Sequence, residues 1–422
     1  MNKDKKGGLG ILIKIAYRNI WRNFRRTLFC IFAVGLAVFF IVFYQSFIDG
    51  FTKCINEAVQ IFDTGHVLAV SSLYDADNEY MPVQYPVSDG EDTDELISRI
   101  SSIAGVRAVF PRIASYATLQ ESVVKHATLW GLEIEKEMAV NHFNLTDRTN
   151  GLVEGRYPDP GTNECAVGQA FAQKTGLSIG DRIPLKTVSA QFSDKIWNPV
   201  ITGIFNFDYI KYDEQYIIVD FERLQRLLVL DNATQQLVIF ADDERMSPAI
   251  AAQVQAMLGS GDVVRDWQDN FWVAVMNMAK PIYTLIFLIF IIVASFLIIN
   301  TVVMIIHERI KEIGMMGSLG MTRAEIVAVF FFESLFLSAF GAFAGAALGG
   351  LMTGVLQFFP IRWTSFTGNT FAEFPASNAI YLTFSIPGLI RGWLMGVVVA
   401  GIFTLFPSLK SAFVEPVEAL RR

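Results

Sequence analysis

Residues 282–306 read IYTLIFLIFIIVASFLIINTVVMII, 25 positions without one charged side chain. A helix rises about 1.5 Å per residue, so about 20 such positions cross a hydrocarbon core of roughly 30 Å. The next segment, residues 307–325, reads HERIKEIGMMGSLGMTRAE, a short polar break. Residues 326–356 then give 31 apolar or small positions interrupted only by Glu333. Further out, residues 27–48 give 22 uncharged positions, and residues 383–406 give 24 with Arg391 as the only charge. Four spans are expected, the fourth interrupted at its outer end by Pro387 and Arg391, where an Arg can snorkel to the interface.

Composition agrees. The chain of 422 residues is 52% hydrophobic and 18% charged, with 36 Phe, and its mean hydropathy is +0.40. These values exclude a disordered or fibrous chain and argue against a wholly soluble enzyme. Charge distribution orients the spans. Residues 1–26 carry eight basic groups against Asp4, the tail 407–422 adds Lys410, Arg421 and Arg422, and the break 307–325 adds Arg309, Lys311 and Arg323. With four spans all three segments share one side, the cytoplasm, so both termini are inside. The first span reads as an uncleaved anchor, because Gln45-Ser46-Phe47-Ile48 offers no small-x-small cleavage site. Residues 11–26 form a basic amphipathic helix suited to the inner interface and to anionic membrane lipids, with Ile13, Tyr17, Ile20, Trp21 and Phe24 on one face.

Residues 49–281 fall outside, with 18 basic and 33 acidic residues. A net charge of −15 over 233 positions is a folded acidic domain and no nucleic-acid surface. Its pattern is mixed α and β: strands near 65–70, 105–113, 199–205, 216–220, 236–240 and 262–265, helices over 92–103, 221–228 and 246–258, and a strand, turn and helix in succession over 164–177. Residues 51–62 and 267–280 read as helices that carry the first and second spans outward as stalks. Residues 357–382 make a short external loop.

No catalytic constellation emerges. Asp75-Ala-Asp77-Asn-Glu79 opens like a calcium loop but has Tyr80 at the turn glycine and Pro86 at the final ligand, so it reads as an ordinary acidic loop. His66, His126 and His142 lack metal-ligand spacing, and His307-Glu308 fails as a zinc motif because Lys311 stands at the second His position. Three cysteines cannot build a disulfide framework or a four-Cys zinc site; a Cys54–Cys165 bridge is open, and buried free thiols are the preferred reading. No G-x-x-x-x-G-K-[ST] occurs among these residues, so this chain binds no nucleotide through such a loop and ATP-driven work needs an ATPase on another subunit.

Two features carry alternatives. In the break, Glu308–Met316 is helix-compatible, Gly317 and Gly320 interrupt it, and Thr322 with Glu325 forms a capping-box pattern. The segment is either a solvated turn or a docking surface for a cytoplasmic partner. In the third span, Gly341, Gly345 and Gly349 make a small-xxx-small stripe that serves either packing within the four spans or a dimer seam. Glu333 suits structural polar pairing better than proton chemistry.

The layout and three local motifs resemble the permeases of MacB/LolCDE-type ABC transporters, which share the FtsX-like permease domain. The motifs are Arg309-Ile-Lys311-Glu312-Ile313-Gly314 followed by Gly320, Glu325-Ile326 and Glu333-Ser334; the tail from Pro407 to Arg421; and ECAVGQAFAQKTGLSIGDRIPL at 164–185. The resemblance implies an integral membrane α-helical fold of four transmembrane helices plus a large α+β periplasmic domain of Porter/Sabre type, Porter near 63–112 and 236–266 with Sabre between. It implies an inner-membrane permease whose coupling loop (Glu308, Arg309, Lys311, Glu312, Gly314, Gly320, Arg323) meets an ABC ATPase dimer that holds ATP and Mg. It further implies a second permease copy or paralogue, lipoprotein cargo and a periplasmic carrier, closest to LolC/LolE-like subunits. The alternatives are an FtsX-like mechanotransmitter acting on an external cell-wall hydrolase, and MacB-like export of peptides or antibiotics. The Phe-rich first span (Phe29, Phe32, Phe39, Phe40, Phe43, Phe47) leans toward an amphiphilic cargo.

Overall fold

A computed structural model describes residues 4–22, 24–74, 83–119, 124–308, 310–362 and 379–411. Arg309, most of the acidic loop that begins at Asp75, most of the loop 357–382 and the tail motif beyond residue 411 lie outside the described residues. The chain forms two compact units.

The chain opens with α1 (Asp4–Arg22), which starts earlier than the 11–26 helix expected from sequence. It is followed by α2 (Phe24–Ala58), a helix of 35 residues with no proline. A single π-helical turn, Val59–Thr64, continues it and stops at Gly65, whose φ of 63° is a left-handed value that suits glycine.

The unit spanning Phe51–Met278 is built on one sheet of 11 strands. In chain order the elements are β1 (Val67–Ser71), α3 (Thr93–Ser101), β2 (Val106–Leu119), β3 (His126–Leu132), α4 (Ile134–Val140), β4 (Leu152–Gly155), β5 (Glu164–Gly168) and α5 (Gln169–Thr175). Then come β6 (Leu185–Val188), β7 (Asp194–Trp197), β8 (Val200–Phe205), α6 (Ile210–Gln215), β9 (Tyr216–Asp220), α7 (Phe221–Leu228), β10 (Gln236–Ala241), α8 (Ser247–Leu258) and β11 (Asp262–Asp266). The strand order is β11-β1-β10-β2-β3-β9-β5-β8-β4, and the β6–β7 hairpin pairs with the far end of β2. Pairings β3–β9 and β5–β8 are parallel. The strand expected over 105–113 runs on to Leu119, so one strand of 14 residues serves both halves of the sheet.

Strand periodicity explains the layering. In β1, Val67 and Ala69 point to one face and meet Leu96 and Ile100 of α3 and Ile250 and Val254 of α8. Leu68 and Val70 point to the other, onto Tyr74, Phe110 and Phe240. Beyond β2 the core changes chemistry: Ile113, Leu129, Val167, Ile217 and Leu224 belong to a mainly aliphatic cluster that includes Cys165. Beside it lies an aromatic cluster of Phe62, Trp130, Phe143, Phe205, Phe207, Tyr209, Tyr212 and Tyr216. Cys54 and Cys165 carry free thiols and belong to different clusters, so the possible bridge between them is not formed. Helix α3 is held at its start by Asp92, whose carboxylate accepts from the Asp94 and Glu95 backbone N–H groups, the N-cap use of an Asp.

The membrane unit continues with α9 (Phe271–Glu308), 38 residues long with Pro281 inside, then α10 (Ile310–Ser318) and α11 (Arg323–Leu356). A two-stranded pair of β12 (Ile361–Arg362) and β13 (Ala379–Ile380), assigned to the sheet-containing unit, comes before α12 (Ile386–Ser411) in the chain. Among the described residues four helices are long and apolar enough to cross a membrane. Pro387 stands in the first turn of α12 rather than interrupting a helix already begun at 383, as its missing N–H allows there. The approach to α12 is pinned to α2: the Ser46 hydroxyl donates to the Thr383 carbonyl at 2.8 Å, and the Thr383 N–H donates to the Ser46 carbonyl at 3.2 Å. Helix α1 meets α11 through an edge-to-face contact of Tyr17 and Phe336, with ring centroids 6.0 Å apart, while Ile11 and Trp21 stay exposed.

Candidate functional site

The break between α9 and α11 has a defined shape. Glu308 ends α9, and α10 carries Lys311, Glu312 and Gly314. Gly317 sits inside α10 and does not break it; the turn comes at Gly320, with φ 93°. The Leu319 N–H donates to the Met315 carbonyl at 3.0 Å and the Met321 N–H to the Met316 carbonyl at 3.1 Å, closing the end of α10. The Thr322 and Glu325 capping box forms as the sequence implies: the Thr322 N–H donates to the Glu325 carboxylate at 2.8 Å, and the Glu325 N–H donates to the Thr322 hydroxyl at 3.3 Å. Met316 and Met321 pack against the cluster that includes Ile326 and Phe330 of α11, so one side of the loop is anchored. Gly314 is buried on that side, while Lys311 and Arg323 are exposed. The outward side also shows Met315 at 52% and Leu319 at 86% exposure, two apolar residues four positions apart, beside Lys311. Sequence reasoning named the charges and missed this pair. The signal was an apolar residue lodged between Ser318 and Gly320, where a merely solvated turn has no use for it.

The glycine stripe of α11 faces α2 of the same chain. A Cβ at Gly345 would lie 2.1 Å from the Gly35 carbonyl oxygen, one at Gly341 would lie 2.8 Å from Val34 Cβ, and one at Gly349 would lie 3.0 Å from a Val42 methyl. Gly396 of α12 approaches Val38 in the same way, at 2.5 Å. Small residues thus let three helix backbones close on one another, as in other membrane helix pairs. Glu333 is 5% exposed on α11, one turn before Leu337, which packs on Cys30 of α2.

In the outer unit the most constrained polar cluster was not visible in the sequence. Arg112 on β2 and Glu137 on α4 are both fully buried. Arg112 Nη2 and Nε donate to the Glu137 carboxylate at 2.7 and 3.1 Å. The same guanidinium donates to the Ile61 carbonyl at 2.8 Å and the Phe62 carbonyl at 3.0 Å. It stands 5.2 Å from the centre of the Trp130 ring. The Tyr212 hydroxyl donates to the Phe62 carbonyl and the Asp63 carboxylate, each at 3.2 Å. These carbonyls lie in the terminal turn that continues α2, where helix geometry leaves carbonyls without partners. Arg148 adds a second tie, donating to both Glu57 carboxylate oxygens at 2.9 and 3.0 Å. The end of the first long helix is therefore socketed in the sheet domain by one buried cation and an aromatic wall. Burial pushes the Glu137 carboxyl up and Arg112 opposes that shift.

Four candidate membrane helices among the described residues, a large α+β domain and an ordered loop between the second and third spans give the architecture of a multi-pass membrane protein. Residues 27–257 match the MacB-like periplasmic core domain and residues 284–416 the FtsX-like permease C-terminal domain. The chain belongs to this MacB/LolC-type family of ABC transporter permeases. It is 21% identical over 329 residues to the lipoprotein-releasing system transmembrane protein LolC of Xylella fastidiosa (strain Temecula1), covering 75% of this chain and 78% of that one. LolC of Neisseria meningitidis serogroup B is 21% identical over 353 residues, covering 79% and 83%. The macrolide export ATP-binding/permease protein MacB of Bradyrhizobium diazoefficiens is 25% identical over 291 residues, covering 66% of this chain and 36% of that protein. Among solved structures, the extracellular domain of the transporter YknZ aligns with 47% of this chain and all of its own, at 14% identity and a TM-score of 0.32. With its family, the four apolar helices make this a multi-pass inner-membrane protein with a periplasmic domain.

Proposed function

We propose that this permease couples ATP hydrolysis by a separate ABC ATPase to movement of its periplasmic domain, and that the work done is release of lipoproteins from the inner membrane toward a periplasmic carrier. The observation that carries the reading is the likeness to LolC over most of both chains, together with the lack of a phosphate-binding loop motif in these 422 residues. A MacB relative matches with similar identity over a stretch that is only 36% of its length, which supports the same mechanics and leaves export of peptides or antibiotics as the competing cargo.

The loop with Lys311, Glu312, Gly314, Gly320 and Arg323 is the ATPase-facing surface in this reading, with Met315 and Leu319 as its apolar centre. ATP and Mg belong to the ATPase dimer, a second permease completes the assembly, and both termini lie in the cytoplasm. Glu333 serves as a structural polar residue of the membrane unit. The stripe Gly341, Gly345 and Gly349 serves helix packing within the chain rather than a dimer seam, a choice supported by its contacts with Gly35, Val34 and Val42.

Reconstitution of the permease, its paired permease and its ATPase into proteoliposomes holding a fluorescent triacylated lipoprotein tests the proposal. ATP-dependent appearance of the lipoprotein in the carrier fraction supports it. ATP turnover without lipoprotein release, but with efflux of a peptide or macrolide, moves the assignment to export.

A further inference from the structure

The outer unit contains a cavity of about 600 Å³ at the junction of its sheet with the ends of the two long helices. That is the size range of sites for small organic molecules. Phe62, Asp63 and Thr64 bring the end of the first long helix to its wall, and Phe271, Trp272 and Ala274 bring the start of α9. Trp130, Tyr212 and Tyr216 supply an aromatic floor, each no more than 5% exposed. Large flat side chains of this kind offer apolar area with a polar edge.

The charged groups at the rim decide what such a floor would take. Three carboxylates line the cavity, and each already accepts hydrogen bonds from the protein. Asp63 accepts from the Tyr212 hydroxyl at 3.2 Å, Asp266 from the Ser247 hydroxyl at 2.7 Å and the Gln268 N–H at 2.8 Å, and Asp269 from the Asp266 N–H at 3.3 Å. The exposed guanidinium of Arg265, on β11, has no hydrogen-bond acceptor among the described residues while lining the same space, and Lys211 lines it too. The Arg265 guanidinium is thus a cationic donor at the cavity without a protein acceptor, and a guanidinium prefers carboxylate or phosphate.

We infer that this cavity binds a small anionic amphiphile, its carboxylate or phosphate at Arg265 and its apolar body on Trp130, Tyr212 and Tyr216. Because both long helices contribute wall residues, occupancy depends on how far apart their ends stand. The site is thus linked to whatever displaces them. The inference does not depend on which cargo the permease serves.

The full-length permease in nanodiscs of zwitterionic lipid, titrated calorimetrically against empty nanodiscs, tests this. The probes are 2-naphthoate and octyl phosphate, with 2-naphthylmethylammonium as the charge-reversed control. Saturable one-to-one binding of at least one anion is expected, at least about tenfold weaker in Arg265→Gln, with the cation at least about tenfold weaker than 2-naphthoate. Ala274→Phe, which puts a ring at a wall residue of the cavity, should abolish binding while the thermal melt stays within a few degrees of the parent. Preference for octyl phosphate would assign a lipid-like ligand, and preference for 2-naphthoate an aromatic acid; both support the site. Absence of saturable binding, equal binding of the cation, or binding indifferent to both substitutions would overturn it.

Discussion

Arg112 on β2 and Glu137 on α4 form a fully buried pair 2.7 Å apart, and the same guanidinium also donates to the carbonyls of Ile61 and Phe62. A surface ion pair of this geometry would be worth little. Here the pair does something a surface pair cannot, fixing the end of a long helix to the sheet it enters.

Removing one partner leaves a buried charge uncompensated, a loss of about 3–5 kcal/mol. Glu137→Leu and Arg112→Met should each lower stability of the outer unit by that order. The double variant should lose less than the sum, because no orphan charge remains. Urea unfolding of the full chain followed by near-UV circular dichroism checks this; strict additivity would show that the two groups do not act as a pair.

Gly345→Leu should disrupt packing of α2 on α11, since even a Cβ meets the Gly35 carbonyl at 2.1 Å. Gly354, whose nearest neighbour would lie 3.6 Å from a Cβ, is the control and should tolerate Ala. Size-exclusion yield in mild detergent distinguishes them. A monodisperse Gly345→Leu protein at parental yield would contradict the intramolecular seam.

Leu319→Asp with Met315→Asp places two charges on the exposed apolar side of the loop. ATPase stimulation by the permease should fall at least about tenfold, while the thermal melt of the periplasmic unit stays unchanged. Retained stimulation would show that the partner does not use this surface.

Asp213, on α6, accepts from the Phe207 N–H at 2.7 Å and the Tyr209 N–H at 3.1 Å. Burial still pushes its carboxyl up to about 7 from 3.8, against those two donors. The folded state then holds a proton that the unfolded chain has released. Stability contributed by this group is fully present below the unfolded value and is lost as pH rises from about 4 to about 7, by at most about 4 kcal/mol. Melting temperature against pH should show this decline in the parent and a flatter profile in Asp213→Asn. Identical slopes would mean that Asp213 titrates normally.

Much of this was legible in the sequence because the relevant physics is local. An uncharged run such as 282–306 has few alternatives to a span, and the Thr322–Glu325 spacing alone specifies a capping box. Strand β3 was not legible: His126–Leu132 is buried on both faces after its first residue, so it lacks the alternation that marks a half-exposed strand. The socket was hidden for a different reason. Arg112 reads locally as a polar residue in a strand, and its partners lie 25 and 50 positions away. The stripe Gly341, Gly345, Gly349 announced close packing, but the identity of its partner is a tertiary fact carried by Gly35 and Val42. Pro387 was misread because a proline inside a helix and one in its first turn look alike until the helix start is known.

The most direct test of the central claim is to extract the protein from its native membrane in mild detergent and identify what accompanies it by mass spectrometry. The account predicts a stoichiometric ABC ATPase, lost in the Leu319→Asp, Met315→Asp variant, together with bound lipoprotein. A complex that survives extraction, checked by a retained second permease, yet contains no ATPase would contradict it.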